Sequence, residues 1–262
     1  MKDILLVSII YHEYEIIKKH VDFLTTVSDR VNIILLENRS EATDAIYGYC
    51  SKLLRENKIF RYYLFHENIG MNAFETFFNN NEINLNDYKY VIVTDGDLTC
   101  TDSNWLDEEI NILDKYSENT LCCGISLDLK NLPINLYSDA KSWIPKASVI
   151  GEDYEEAITG LHLLLFKVGS FINLLSFLKK KNLIFMDRHI HTYCLSILKK
   201  SWKRTLHAKA WHHTWDIYFD KNHPYSKIKQ KSYHEIWMHG RYSAYDVCTP
   251  DGRTVAKEKL KK

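Results

Sequence analysis

Asp95-Gly96-Asp97 is the segment of this chain whose residue types and spacing are best suited to chemistry. Two carboxylates one residue apart can share a hard divalent cation and its bound diphosphate, because Mg2+ and Mn2+ prefer oxygen ligands and keep phosphate oxygens in their shell. The competing reading is an Asp-Gly turn that merely closes a strand. The preceding run Tyr90-Val91-Ile92-Val93-Thr94 is a strand pattern. It sets the carboxylates at a strand's carboxyl end, where α/β sheets bind ligands, and favours a site. The glycine reads as the residue that lets the backbone turn tightly.

Two further sets fall after apolar runs, Glu37-Asn38-Arg39-Ser40 and His66-Glu67-Asn68-Ile69-Gly70-Met71-Asn72. Turn chemistry or a helix cap at Ser40 or Asn38 would explain them, and as ligand contacts they could reach a base or ribose. All three sets are expected along one sheet edge. Twelve histidines are mostly packing or surface residues, but His212-His213 follows the strand pattern Leu206–Trp211. Neighbouring strand residues point to opposite faces, so one of the two is expected in the site, where an imidazole could complete a cation's shell or donate to a phosphate. Asp187, between Leu183–Met186 and a helical stretch, reads either as an N-cap or as a general base for a hydroxyl.

The elements that must position these residues alternate. Strands are predicted at Ile4–Ile10, Val31–Leu36, Ile59–Phe65 and Tyr88–Thr94, with helices at Glu15–Leu24, Ala42–Leu54 and Asn72–Phe78. Continuous apolar runs joined by helices call for a mainly parallel sheet with right-handed crossovers. Further on, the patterns predict helices at Trp105–Leu113, Phe171–Lys180 and Arg188–Lys200, and strands at Leu121–Leu127, Ile158–Lys167 and Lys203–Trp211. Residues 130–156 read as a long loop, and residues 224–262 as a polar, basic extension whose KEKLKK end is a solvated tail.

Acidic and basic residues balance at 34 each, which argues against a protein built to neutralise nucleic-acid phosphates. The apolar start MKDILLVSII is too short for a signal peptide and fits a buried first strand. No stretch approaches ~20 uninterrupted apolar residues, so no membrane span is expected. Six cysteines without a CxxC pair read as reduced thiols, and the chain as cytoplasmic. Peripheral contact with the inner face of a membrane is the one membrane role the terminal lysines leave open.

In order and spacing these blocks resemble the large inverting glycosyltransferase family 2, in its rhamnosyltransferase-like branch. The blocks are Val7-Ser8-Ile9-Ile10, Leu36–Ser40, Glu67–Gly70, Tyr90–Asp97 with Asn104-Trp105-Leu106, Ile158-Thr159-Gly160, Met186-Asp187 and Ala208–His212. The resemblance implies an α/β GT-A fold over residues 1–223, with a mixed, mainly parallel sheet flanked by helices. It implies donor contacts at Ser8, Glu37, Asn38, Asn68, Gly70 and Asp95, a Mg2+ or Mn2+ ligand at Asp97, metal or diphosphate contact at His212, and Asp187 as the base. The implied donor is a UDP- or dTDP-sugar and the implied acceptor a glycan or lipid-linked saccharide. This chain departs from the family at Tyr11-His12-Glu13, at Glu37 in place of Asp and at Met186 in place of Glu. Rival readings are a nucleotidyltransferase, which should carry a Gly-rich loop where YHEYE stands, a non-catalytic carbohydrate-binding protein of the same fold, and a metal-dependent hydrolase.

Overall fold

The computed structural model describes residues 2–79, 83–223, 225–227, 244–252 and 254–258. The chain divides into two compact units, Met1–Asp97 with Gln230–Lys262, and Leu98–Lys229.

The first unit runs β1 (Ile4–Tyr11), α1 (Tyr14–Thr25), β2 (Val31–Asn38), α2 (Thr43–Arg55), β3 (Arg61–Phe65), α3 (Asn72–Asn79) and β4 (Tyr90–Asp95). Every β1 residue before Tyr11 is buried, as a strand covered on both faces requires. Helix α1 turns Ile17, His20, Val21 and Leu24 inward at helical spacing. The four strands are parallel in the order β3-β2-β1-β4. The winding direction therefore reverses between β1 and β4, and the carboxyl ends of those two strands form the crevice in which such sheets bind ligands. Asn38 lies opposite Tyr11 and Asp95 opposite Ile9 in the register, so the predicted edge exists within this unit.

The second unit holds β5 (Leu98–Cys100), α4 (Trp105–Lys115), β6 (Thr120–Asp128), β7 (Val149–Ile150), β8 (Tyr154–Glu156), β9 (Leu164–Lys167), α5 (Val168–Lys181), α6 (Asp187–His191), β10 (Ser201–His212) and α7 (Trp215–Phe219). β10 is its organising strand. It pairs parallel with β6, antiparallel with β8 and, near its end, antiparallel with β5. The β6–β10 register slips between Arg204 and Lys209. The bulge is closed from inside: Thr205 Oγ1 donates to Ala208 O at 2.7 Å and accepts from Ser126 N at 2.9 Å. It is closed from outside by Glu108 of α4, whose carboxylate accepts N–H groups from Leu206, His207 and Ala208 at 2.8, 2.9 and 2.8 Å. The bulge re-aims the last four residues of β10, which end at His212.

Truncating Glu108 removes three charge-assisted bonds and strands at least two half-buried donors. Glu108→Ala is therefore expected to cost about 2–4 kcal/mol in urea unfolding, with Glu108→Gln in between. A loss under ~0.5 kcal/mol would show that the bulge closes without the carboxylate. The next residue, Glu109, is fully buried, and burial together with the charge of Glu108 pushes its carboxyl well above the ordinary range.

Several elements differ from the sequence expectation. The strand predicted at Ile158–Lys167 is only β9. His162 N donates back to Gly160 O, and Leu163 sits at φ 48°, so residues 159–163 turn rather than extend. The helix predicted at Arg188–Lys200 is α6 followed by a wider π turn at Thr192–Ile197, ended by Lys199 at φ 56°. The loop 130–156 carries 3-10 turns at Leu129–Asn131 and Ser138–Trp143 and the β7–β8 hairpin. Buried cations anchor that hairpin to β10. Lys203 Nζ meets Glu156 at 2.7 Å and lies 3.3 Å from the Tyr154 ring centroid, while Arg204 pairs with Glu155 at 2.5 Å. Part of the extension is packed on the sheet. In the first unit, β11 (Ala244–Cys248) pairs antiparallel with β3 and with β12 (Thr254–Glu258). Residues 259–262 of the KEKLKK end lie outside the described residues.

Candidate functional site

Asp95 is the last residue of β4, and Gly96 and Asp97 follow at the crevice between β1 and β4. All three are half-buried, and Asp97 Oδ1 is enclosed. The glycine is needed for a different reason from the one its turn chemistry suggests. Its φ is not positive; instead a Cβ there would stand 2.4 Å from Ile9 O and 3.0 Å from Ile10 Cα. Only glycine lets the chain pass this close to β1, which pins the two carboxylates to the strand end. Immediately after β1, His12 adopts φ 72°, a left-handed conformation uncommon outside glycine, on the same edge.

The Asn38 and Asn68–Gly70 blocks are joined directly. Asn38, at the end of β2 and 1% exposed, accepts from Ile69 N at 2.9 Å and donates to Gly70 O at 3.3 Å. Asn68 Oδ1 accepts from Gly70 N at 3.0 Å, and Gly70 takes φ 53°, which a side chain would oppose. The amide of Asn38 thus shapes the loop that opens α3.

Ser8 and Glu37, also expected to touch a donor, are engaged inside the unit. Both are 0% exposed. Ser8 Oγ bonds His20 Nε2 of α1 at 2.9 Å, and Glu37 Oε2 accepts from the Tyr62 hydroxyl of β3. Their side chains point to the flanking helices and neighbouring strands rather than to the edge, because the strand alternation at both positions faces the core.

Burial lifts the Glu37 carboxyl to about 8, against the pull of Thr43 and Arg39 and with a smaller push from Asp44. The folded state therefore holds a proton that the unfolded chain releases. Stability from this group is full below about pH 4.5, falls as pH rises, and is lost once pH passes about 8. Glu37→Gln keeps the shape without the charge. It is expected to raise stability by a few kcal/mol at about pH 9 and to change it little at about pH 4, read by denaturant titration at both. Equal effects at the two pH values would mean that burial does not raise the Glu37 carboxyl.

In the second unit, His212 ends β10 and is 4% exposed. Its ring stacks on Trp215 at 4.2 Å and meets the edge of His162 at 5.7 Å. Asn131 Nδ2 donates to its carbonyl, and Thr214 N donates to its Nδ1 at 3.3 Å. With Nδ1 accepting, the neutral ring carries its proton on Nε2 and presents a donor there. His213 faces the other way, toward Thr99 Oγ1 at 2.9 Å. His162 escaped the sequence reading because nothing in the Thr-Gly-Leu-His spacing marks it. It is placed by the tight turn at Gly160, where a Cβ would meet its ring at 2.9 Å.

Asp187 opens α6 as its first helical residue, while Met186 occupies the N-cap and supplies no side-chain cap. Asp187 is therefore not the cap that its position in the sequence suggests. Its Oδ1 accepts from Arg188 N at 2.7 Å, and the half-buried carboxylate sits at a helix start, where negative charge is favoured.

The Asp95–Asp97 segment fits a hard cation. Its donors are carboxylate oxygens, one of them enclosed, on a backbone fixed by the Gly96–β1 approach. Among the described residues no group of three or more His, Cys, Asp or Glu is gathered for a metal ion. This donor set suits an ion that takes most of its shell from phosphate and water, as Mg2+ and Mn2+ do, and not a protein-caged zinc.

A mixed α/β chain with paired carboxylates at the switch point of a β3-β2-β1-β4 sheet has the open α/β architecture whose strand ends form a crevice. Comparison with solved structures shows which fold of this kind it has. A mannosyltransferase from Pyrobaculum calidifontis, in complex with GDP-Man and Mn2+, matches 91% of this chain and 65% of its own, with TM-score 0.56 at 10% identity. GalNAc-T7, with UDP, GalNAc and Mn2+, matches 80% of this chain and 44% of its own, with TM-score 0.52 at 9% identity. The GT-A-like glycosyltransferase fold expected from the resemblance is thus observed. No family model matches the chain. Three uncharacterized proteins of Acanthamoeba polyphaga mimivirus are 37%, 38% and 37% identical over 91%, 93% and 91% of this chain. The chain spans 33%, 28% and 49% of their respective lengths, so it corresponds to a part of each. Among the described residues no helix is long and apolar enough to cross a membrane.

Proposed function

We propose that the chain is a glycosyltransferase that moves a sugar from a nucleoside-diphosphate donor to a hydroxyl of a saccharide acceptor, with inversion and with a divalent cation. The observation that carries this reading is the Asp95-Gly96-Asp97 segment, fixed against β1 at the switch point of the sheet. The shared fold of two glycosyltransferases whose structures hold nucleotides and Mn2+ supports it.

In this reading Asn38 and the Asn68–Gly70 loop flank the nucleoside, and Asp95 contacts the ribose or the sugar. Asp97 would hold Mg2+ or Mn2+, which offsets charge on the leaving diphosphate when bound. His212 is assigned to the diphosphate and not to the cation. A metal on Nε2 would need the proton on Nδ1, where Thr214 N–H already donates. Asp187 takes the proton of the acceptor hydroxyl as its oxygen bonds the anomeric carbon. The bond from that carbon to the phosphate oxygen breaks, and the nucleoside diphosphate leaves from the opposite face.

The test is nucleoside diphosphate release from a panel of UDP-, dTDP- and GDP-sugars with Mn2+ and a mixture of oligosaccharides. Release from at least one donor, with a new glycosidic product by mass spectrometry, is expected. Binding of a nucleotide sugar without release or product would favour the non-catalytic reading.

A further inference from the structure

The second unit carries an aromatic cluster that the assigned roles leave unused. The segment after β6 supplies Trp143, and the segment after β10 supplies Trp215, Tyr218 and Phe219. The Trp143 ring centroid lies 4.9 Å from Tyr218, 5.4 Å from Phe219 and 6.0 Å from Trp215. Strands β6 and β10 are parallel, so both segments leave from the same carboxyl edge, the edge at which ligands bind. Trp143 and Tyr218 nevertheless stay 42% and 38% exposed. Trp215 is the opposite case. It is 4% exposed, its Nε1 is enclosed, and among the described residues no group accepts from it. A buried indole N–H ordinarily finds an acceptor. The same indole stacks on His212, which makes the cluster continuous with the end of β10.

We propose that Trp143 and Tyr218 are the platform on which a sugar ring of the acceptor lies, and that Trp215 Nε1–H donates to one of its oxygens. The proposal rests on the glycosyltransferase reading and names the acceptor class as a saccharide. A pyranose turns an apolar face of C–H bonds to an aromatic ring while its hydroxyls require polar partners at the rim. An acyl chain would cover the rings equally well but would leave the Trp215 N–H unmet, so the cluster favours a sugar over a lipid tail.

Saturation-transfer NMR on the intact chain with methyl glycosides of glucose, galactose, mannose, N-acetylglucosamine and rhamnose tests it. At least one glycoside should receive saturation on its ring protons. Its affinity should fall ~10-fold in Trp143→Ala and in Tyr218→Ala, with Trp143→Phe in between. Because Trp143 packs on Trp215 and Phe219, Tyr218→Ala is the variant that keeps the proposal testable if Trp143→Ala folds poorly. Three results would overturn it: no glycoside bound by the native chain, affinity unchanged in both variants, or retention on anionic phosphatidylserine vesicles that Trp143→Ala abolishes. The melting shift with nucleoside diphosphate and Mn2+, measured on the same samples, keeps the two readings apart. Sugar binding without a nucleotide shift upholds the platform and strikes the transferase reading. A nucleotide shift without sugar binding does the reverse.

Discussion

Asp187→Asn is expected to lower sugar transfer by ~10²–10⁴-fold while donor binding and the fold stay intact. The amide cannot take the acceptor proton. Its oxygen can still accept from Arg188 N, so the start of α6 keeps its local hydrogen bond. What is lost in stability is the attraction between a carboxylate and a helix N-terminus, about 0.3–1 kcal/mol, because Asp187 is the first helical residue and not the cap. Nucleotide release with acceptor, donor affinity by calorimetry and melting temperature should be read on one preparation. Turnover within a few-fold of the native protein would remove Asp187 from the base role. Asp153 would be a poor replacement, since Lys115 Nζ and the Tyr116 hydroxyl each hold it at 2.9 Å. His189 would come next, with its Nδ1 at 2.8 Å from Ile184 O.

Asp97→Asn is expected to lower transfer by ~10²-fold or more, through the metal and not through the fold. The substitution keeps the shape of the half-buried side chain and removes its charge, so the Mn2+ concentration that supports half-maximal activity should rise in step. Loss of activity with an unchanged Mn2+ dependence would assign Asp97 to substrate contact instead. Gly96→Ala makes a useful contrast. A methyl group there meets Ile9 O at 2.4 Å, so its effect should appear first in stability and only then in activity.

The first half of the fold was legible because its signals are local and periodic. The unbroken apolar runs of β1, β2 and β4 and the inward stripe of α1 follow from single stretches of sequence. Short pieces were not legible. β5 is three residues long and exists because β10 is there to pair with it, and β11 carries Asp246 in its middle, which meets His66 at 3.3 Å. The bulge of β10 was also hidden, since its outer partner, Glu108, lies some hundred residues earlier.

The same division runs through the candidate site. The strand-end blocks around Asn38, Asn68–Gly70 and Asp95–Asp97 could be found by position alone, and Asn38 does clasp the Gly70 loop. Ser8 and Glu37 turn inward to His20 and Tyr62, an orientation that residue type alone does not reveal. The glycine of the Asp-Gly-Asp segment was recognisable, but its cause was not. Close approach to β1 is a tertiary constraint that leaves no local mark.

The central claim is that a nucleoside diphosphate binds this chain through a divalent cation, and a melting experiment tests it most directly. The native protein is heated with UDP, dTDP or GDP, each with Mn2+ and each in excess chelator. A ligand that binds only the folded state raises stability by mass action, about 2.7 kcal/mol at a hundredfold excess over Kd. The account expects one of these nucleotides to raise the melting temperature with Mn2+ present, and expects that rise to vanish in chelator and in Asp97→Asn. An equal rise with and without the cation, or no rise with any nucleotide, would contradict it.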